Sequence, residues 1–403
     1  MQFDTGNTGF MLLATSLVML MTPGLAFFYG GLVGRRNVLA IMMQSFVSMG
    51  VTTILWWAVG YSLCFSGDVG GIVGNLDMAF LRGVTLDTPF TGAAKIPLFV
   101  FIAYQMMFAI ITPALITGAF TNRIRFAPYL IFLVAWLLCV YFPIVHMVWG
   151  GGLLQKWGVL DFAGGIVVHA TAGWAALASV FFVGKRHSTD PGMHSIPLVA
   201  LGTGLLWFGW YGFNAGSELA VDAVTGQAFL NTDVAASFAG PVWMFLAWYI
   251  EKKPKFTGLL TGAVAGLATV TPCAGFVTVN TAVIIGIVAG SFCYFMVNLK
   301  NRMQWDDSLD VWGVHGIGGC LGTIMLGVFA SKLVNPAGAD GLLAGNTSFF
   351  LKQTVAVIGA SAWAFVFTWG GLWLINKFVR VRVTDQDELD LDRQLHGENA
   401  YDM

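Results

Sequence analysis

The sequence predicts an all-α polytopic membrane protein with eleven transmembrane helices, its N-terminus outside and its C-terminus in the cytoplasm. Three observations predict it. Of 403 residues, 57% are hydrophobic and only 10% charged, with mean hydropathy +0.75; a soluble domain carries about 25% charged residues. Apolar segments near the roughly 20 residues a span needs lie at 9–31, 39–65, 97–120, 127–148, 161–183, 196–215, 235–250, 257–276, 280–299, 311–331 and 349–378. The connections alternate in charge. "GRRN", "NRIR", "GKRH", "EKKPK" and "KNR", with Lys377, Arg380, Arg382 and Arg393, hold 15 of the 20 basic residues on one side, which the positive-inside rule assigns to the cytoplasm.

Eleven crossings divide as five, five and one. Five plus five places two halves in opposite orientations, as inverted-repeat transporters have them. The repeats are expected at about 9–183 and 196–331. The last helix, 349–378, is long enough to tilt or emerge. Residues 1–383 thus form a transmembrane domain and 384–403 a cytoplasmic tail. The opening "MQFDTGNTGF" lacks the basic region and cleavage site of a signal peptide.

Composition also excludes. A net charge of -1 gives no field for nucleic acid. Fifty glycines and 15 tryptophans suit close helix packing and interfacial anchoring in lipid. Cys64, Cys139, Cys273, Cys293 and Cys320 are scattered without a CxxC pair, so they read as small buried hydrophobes.

Two phrases carry the chemistry. "DFAGGIVVH" runs from Asp161 to His169, and "DVWGVHGIGG" from Asp310 to Gly319. The histidines fall on the fifth and tenth segments, one per half, although the spacings from acid to histidine, eight and five, do not match. Eight residues carry His169 about 12 Å inward from one face, and five carry His315 about 7.5 Å from the other. Both could reach one midplane site. Intramembrane polar groups are costly and usually face a cavity. Asp161 also fits an N-cap, able to hold charge near a site while capping.

Two neutral imidazoles in a dry passage suit a small molecule that both donates and accepts hydrogen bonds, or a proton relay. Apart from Lys352 and Lys377 near the ends of the last segment, no Asp, Glu, Lys or Arg besides Asp161 lies inside the predicted spans, which argues against a filter of fixed charge. A metal needs three or four ligands and only two are present, so no metal or cofactor is expected. His146 reads as a packing residue, and His187, His194 and His396 as solvated.

Aromatic residues extend the route. Trp149 lies where segment four reaches the outer face. Tyr104 and Phe108, four apart, share a face of segment three. Trp210, Phe213 and Ser217 follow at the outer end of segment six. Rings around a small vestibule can hold a cation by its attraction to their faces, with a serine hydroxyl accepting a hydrogen bond.

"DFAGGIVVH", "GWYGFNAGS", "DVWGVHGIGG", "FAIITPALITGAF" and the tail "HGENAY" together make the chain resemble the ammonium transporter (Amt/Mep/Rh) family, its prokaryotic Amt branch most closely. The resemblance covers nearly the whole chain. It implies a homotrimer in the cell membrane, each subunit with its own pore for ammonium, ammonia or methylammonium. Matched motif to motif, Trp149, Phe108 and Ser217 look like the external recruitment site, with Asp161 the acid that supports it. Phe108 and Phe213 look like a stacked phenyl gate, and His169 and His315 like the twin histidines beneath. Tyr104 and Trp210 fall on further aromatic positions of the vestibule, where relatives commonly have Phe at the first. Ammonium would be recruited, stripped of water and deprotonated, and ammonia passed along the histidines. A Rh-like gas channel or an ammonium sensor on the same pore is the runner-up.

The tail "TDQDELDLDRQLHGENAY" reads on composition as solvated and acidic. "HGENAY" resembles the signature of Amt proteins regulated by PII-type signal proteins, which plug the cytoplasmic exits when nitrogen is plentiful.

Overall fold

A computed structural model describes residues 3–92, 95–187 and 192–401. Among these the chain is helical, with isolated β-bridges and no extended strand. Ten helices are long and apolar enough to cross a membrane, and one apolar helix is shorter. In chain order they are α1 (Thr5–Leu32), α2 (Val38–Phe65), α3 (Leu98–Ile116), α4 (126–149), α5 (Gly165–Val183), α6 (Ile196–Ala215), α7 (Ala223–Glu251), α8 (Phe256–Val270), α9 (Val279–Arg302), α10 (Trp312–Phe329) and α11 (Thr347–Phe378).

Two boundaries differ instructively from the sequence expectation. The eighth segment, expected to reach 276, stops as a helix at Val270, two residues before Pro272, whose ring disfavours continuation. Residues 271–277 turn instead, and all are buried. Irregular backbone at membrane depth survives only where protein surrounds it. Here α7 supplies the partners: Asn231 Nδ2 donates to Ala274 O and Val277 O at 2.8 Å each, and Gln227 Nε2 to Val277 O at 3.1 Å.

Those polar residues explain the second difference. They hid the first turns of α7, which begins twelve residues before the expected 235 at an Asp222–Thr225 capping box. Asp233 therefore lies inside a spanning helix, contrary to the expectation that Asp161 was alone. It is satisfied there by Tyr211 Oη at 2.6 Å and Trp207 Nε1 at 3.2 Å.

The basic connections meet on one face. Arg123, fully buried, donates to Gly184 O and Ala119 O and pairs with Asp306, which also pairs with Arg186. Burial pulls the Arg123 guanidinium down to about 10, against the Asp306 charge that raises it.

The tail folds onto this face rather than standing solvated. Val383 and Leu391 are buried beside Ala40. Asp392 Oδ1 accepts from Ala40 N at 2.8 Å, capping the start of α2, and Glu388 pairs with Arg382. His194, read as solvated, instead contacts Val33 O at 3.0 Å and Tyr401 Oη at 2.9 Å. His396 packs edge-on against Phe126 at 5.2 Å. His187 is mostly exposed, 3.8 Å from Asp385.

His146 is buried and fully partnered, by Cys64 O at 3.0 Å and Asp68 Oδ1 at 3.2 Å. Among the cysteines Cys64, Cys273 and Cys293 are buried and Cys320 half-buried, whereas Cys139 is exposed.

Candidate conduction pathway

The two histidine-bearing helices begin in the same unusual way. His169 lies in a π-helical stretch, Gly165–Ala170, and His315 in another, Trp312–Gly316. Such widened turns are rare and frequent at functional sites. Each is capped by an acid eight residues ahead of its histidine. Asp161 Oδ1 accepts from Gly164 N and Gly165 N, at 2.8 and 2.7 Å, and Oδ2 from Ile166 N and Val167 N, at 2.8 and 3.1 Å. Burial raises the Asp161 carboxyl above its ordinary range, and the four amides oppose that rise.

On the other helix the cap is Asp307, not Asp310. Asp307 accepts from Val311 N at 3.1 Å and Trp312 N at 2.8 Å. Asp310 stands at φ 60° and pairs with Lys300 Nζ at 2.7 Å. Burial pushes the Asp307 carboxyl up to about 6, against the nearby Lys300 charge. The unmatched spacing read from the sequence came from taking the acid nearest the histidine. Counted from Asp307, both spacings are eight.

Glycines let the two helices touch. A Cβ on Gly173 would lie 2.0 Å from Gly316 N, and one on Gly319 would lie 2.5 Å from Gly165 O and 2.8 Å from His169 Cβ. Each glycine follows its own histidine by four residues. As numbers rise along α5 the contacts fall along α10, so the two helices run antiparallel. Small residues are what permit such backbone approach.

The result is a joined pair. His315 Nδ1 and His169 Nδ1 are 3.2 Å apart, with the rings stacked at 5.2 Å and 19°. One nitrogen must donate and the other accept, so one proton is shared between them. His169 Nε2 is buried and has no partner among the described residues. The void beside the pair is about 10 Å³, bounded by Leu25, Leu206, Val264 and other apolar side chains, near the minimum for one water.

Above the pair two rings pack together. Phe108 and Phe213 lie 4.3 Å apart at 36°, both about 1% exposed. Beyond them opens a cavity of about 790 Å³, lined by Phe108, Trp149, Asp161, Ser217 and others. Trp149 stands edge-on to Phe108 at 5.9 Å, and its Nε1 donates to Asp161 O at 2.8 Å. The acid that caps α5 thus also holds the indole. Ser217 Oγ is 2.9 Å from Phe213 O. Below the pair a second cavity of about 340 Å³ is lined by Tyr29, Arg186, Asp310 and His315.

Two residues expected in the vestibule do not line it. Tyr104 is fully buried behind it. Its hydroxyl reaches Gly212 O and Phe213 O at 2.9 Å each and Ser217 Oγ at 3.2 Å, so it braces Phe213 and the serine. Trp210 lies on the histidine side of the Phe108–Phe213 pair, stacked on His169 at 5.4 Å, with Nε1 donating to Thr271 Oγ1 at 2.9 Å. The sequence reading missed Asp307, whose repeated spacing was the available signal. It also missed Thr271, hidden in the supposed middle of a span, and the lining residues Gln105 and Glu218.

Comparison with known proteins decides the family. The chain matches the model of the Ammonium Transporter Family over residues 9–401. It belongs to that family. It is 45% identical to an ammonium transporter of Bacillus subtilis over 98% of both chains. It is 43% identical to ammonium transporter Amt1 of Archaeoglobus fulgidus, over 98% of this chain and 99% of that one. The crystal structure of Candida albicans Mep2 superposes with a TM-score of 0.90 at 37% identity, covering 99% of this chain and 91% of that one. The family is one of membrane transporters, not of enzymes.

Proposed function

We propose that the protein recruits ammonium at the Trp149 mouth, deprotonates it near the Phe108–Phe213 gate, and passes ammonia along His169 and His315 to the cytoplasm. The observation that carries this reading is the joined, partly unpartnered histidine pair beside a void of about 10 Å³ walled by apolar side chains. A bare cation gains little there, since an isolated charge in an apolar site is strongly penalised. Ammonium escapes the penalty by leaving its proton behind, which potassium cannot do. Trp149 and Phe108 offer ring faces to the cation and Ser217 a hydroxyl oxygen. Asp161 supports the mouth by fixing Trp149 and the start of α5. Tyr104 and Trp210 act as braces rather than as recruiting groups.

The same reading puts the Trp149 mouth outside the cell membrane and the basic face in the cytoplasm, in an eleven-span topology that counts the short α8 as the eighth crossing. We further propose a homotrimer with one pore per subunit, methylammonium as a second substrate, and a PII-type signal protein as partner at the cytoplasmic face. Failure of the purified protein to retain the PII protein of its own genome at any nucleotide and 2-oxoglutarate level would remove that partner.

The pore is tested by current from proteoliposomes on a solid-supported membrane. Ammonium is pulsed, then potassium, for the native chain and for His169→Ala and His169→Asp. A current with ammonium alone, lost or opened to potassium in the variants, supports the histidine pair as the selective element. Unchanged selectivity and current in both variants would sink that role. Labelled methylammonium uptake without current identifies net passage of the neutral amine.

A further inference from the structure

Glu218 is the one carboxylate of the Trp149 mouth that nothing in the fold employs. It ends the 3-10 turn Gly216–Glu218 that follows α6, directly after Ser217. The backbone there is fixed from both sides. Ser217 is tied to Phe213 and Tyr104, and a Cβ on Gly216 would meet the Tyr104 hydroxyl at 2.7 Å. Leu219 closes the turn at φ 62°. Glu218 is half-buried, lines the 790 Å³ cavity with Trp149, Phe108 and Ser217, and has no hydrogen bond or ion pair among the described residues.

Asp161, the other acid in that lining, is spent. Both of its oxygens are saturated by four backbone amides. Its carboxylate cannot also turn a lone pair to an arriving ion without releasing the cap. Asp222, four residues beyond Glu218, is likewise committed, capping α7 through Thr225 N at 3.0 Å. Among the described residues lining the cavity there is no Lys or Arg to neutralise Glu218.

A half-buried carboxylate without a partner is costly to keep ionised, and a cation that comes and goes favours its ionised form. We infer that Glu218 is a cation-binding residue of the mouth, holding hydrated ammonium or methylammonium in the vestibule before it reaches the Trp149–Phe108–Ser217 site. The inference rests on the pore reading above. It assigns Glu218 to capture and leaves selection to the gate and the histidines. A negatively lined cleft raises the local concentration of cations of either kind, so potassium competes at this step and not at the later one.

The test is ammonium-evoked current and methylammonium uptake in proteoliposomes for the native chain, Glu218→Gln, Glu218→Asp and the exposed control Asp87→Asn. Glu218→Gln should raise the half-saturating ammonium concentration by roughly three- to tenfold, with current at saturating ammonium changed less than about twofold. Glu218→Asp should recover most of the loss, and Asp87→Asn should match the native chain. The gap between native and Glu218→Gln should narrow as choline chloride rises from about 10 mM to about 300 mM, because salt screens a water-facing charge. Equal half-saturation in native and Glu218→Gln overturns the inference and leaves the pore reading standing. So does an equal rise in Glu218→Asp, or a gap that salt leaves unchanged. A native chain with neither current nor uptake overturns the pore reading and this inference with it.

Discussion

The two cavities that flank the histidine pair differ in how their charges are paired. Beside Trp149 the lining carries Asp161 and Glu218 and no base among the described residues. On the opposite side it carries Arg186 and Asp310, backed by Lys300, Arg123 and Asp306. One mouth carries acids with no base beside them, and in the other the signs are paired. Under the pore reading proposed above, this is the asymmetry expected of a particle that arrives charged and leaves neutral. The caps repeat the contrast. Asp161 serves four amides, whereas Asp307 serves two and lies near Lys300, whose ammonium donates to Asp307 O at 2.7 Å.

Separating the two helices should have the largest effect. Gly173→Leu puts a side chain where Gly316 N would be 2.0 Å from its Cβ. Displacing reacting groups by about 1 Å commonly costs about 100-fold. Methylammonium uptake should fall at least that far in this variant, and similarly in Gly319→Leu. Normal uptake in either would show that the histidine contact is dispensable.

The caps come next. Asparagine keeps the shape but turns one oxygen into a donor facing donors. Asp161→Asn should lose two amide bonds, about 3 kcal/mol, and Asp307→Asn one, about 1.5 kcal/mol. Thermal unfolding in detergent measures both, and equal losses would erase the contrast between the halves.

Trp210→Phe removes the bond to Thr271 and part of a fully buried ring, and should cost at least about 1 kcal/mol of stability, with a small change in uptake.

The smallest effect concerns the loop beside the Trp149 mouth. Hydrogen bonds from Lys156 and then His146 hold the Asp68 carboxyl down to about 2. A carboxyl depressed in the fold contributes stability above its ordinary value near 4, and loses it as pH falls from there toward 2. Protection from hydrogen exchange in residues 66–75, taken relative to the intrinsic rate at each pH, should be insensitive to this group above about pH 5 and lower below about pH 4. Asp68→Asn should lose that acid-dependent step.

How much of this was legible in the sequence follows from the distance over which each signal acts. Phe108 with Phe213, and His169 with His315, sit in compact motifs inside apolar runs, where an aromatic or polar residue stands out. Trp210 was expected in the vestibule, although α6 runs toward the Trp149 mouth and the residue lies on the His169 side of Phe108 and Phe213. Three residues before Phe213 is about 4.5 Å further from that mouth, so its depth could have been counted. Asp307 was lost to Asp310, because proximity to the histidine was weighed above a repeated spacing. The start of α7 and the turn at 271–277 were illegible for a shared reason. Each is intelligible only through the other's hydrogen bonds. The folded tail was illegible because its anchors, Asp392 on the α2 amides and Tyr401 on His194, are contacts with distant loops that composition does not encode.

The single proton held between His169 Nδ1 and His315 Nδ1 has a bookkeeping consequence. In either tautomer the pair shows a lone pair at one Nε2 and a hydrogen at the other. A proton entering at the lone pair and leaving from the far side would exchange the two ends. The next proton in that direction would then meet a hydrogen where it needs a lone pair. A relay of this kind works once and must be rewound, by ring rotation or by a return hop, before it works again. A molecule that borrows a hydrogen bond from each ring and gives both back leaves the pair as it found it, and can follow the previous one without delay.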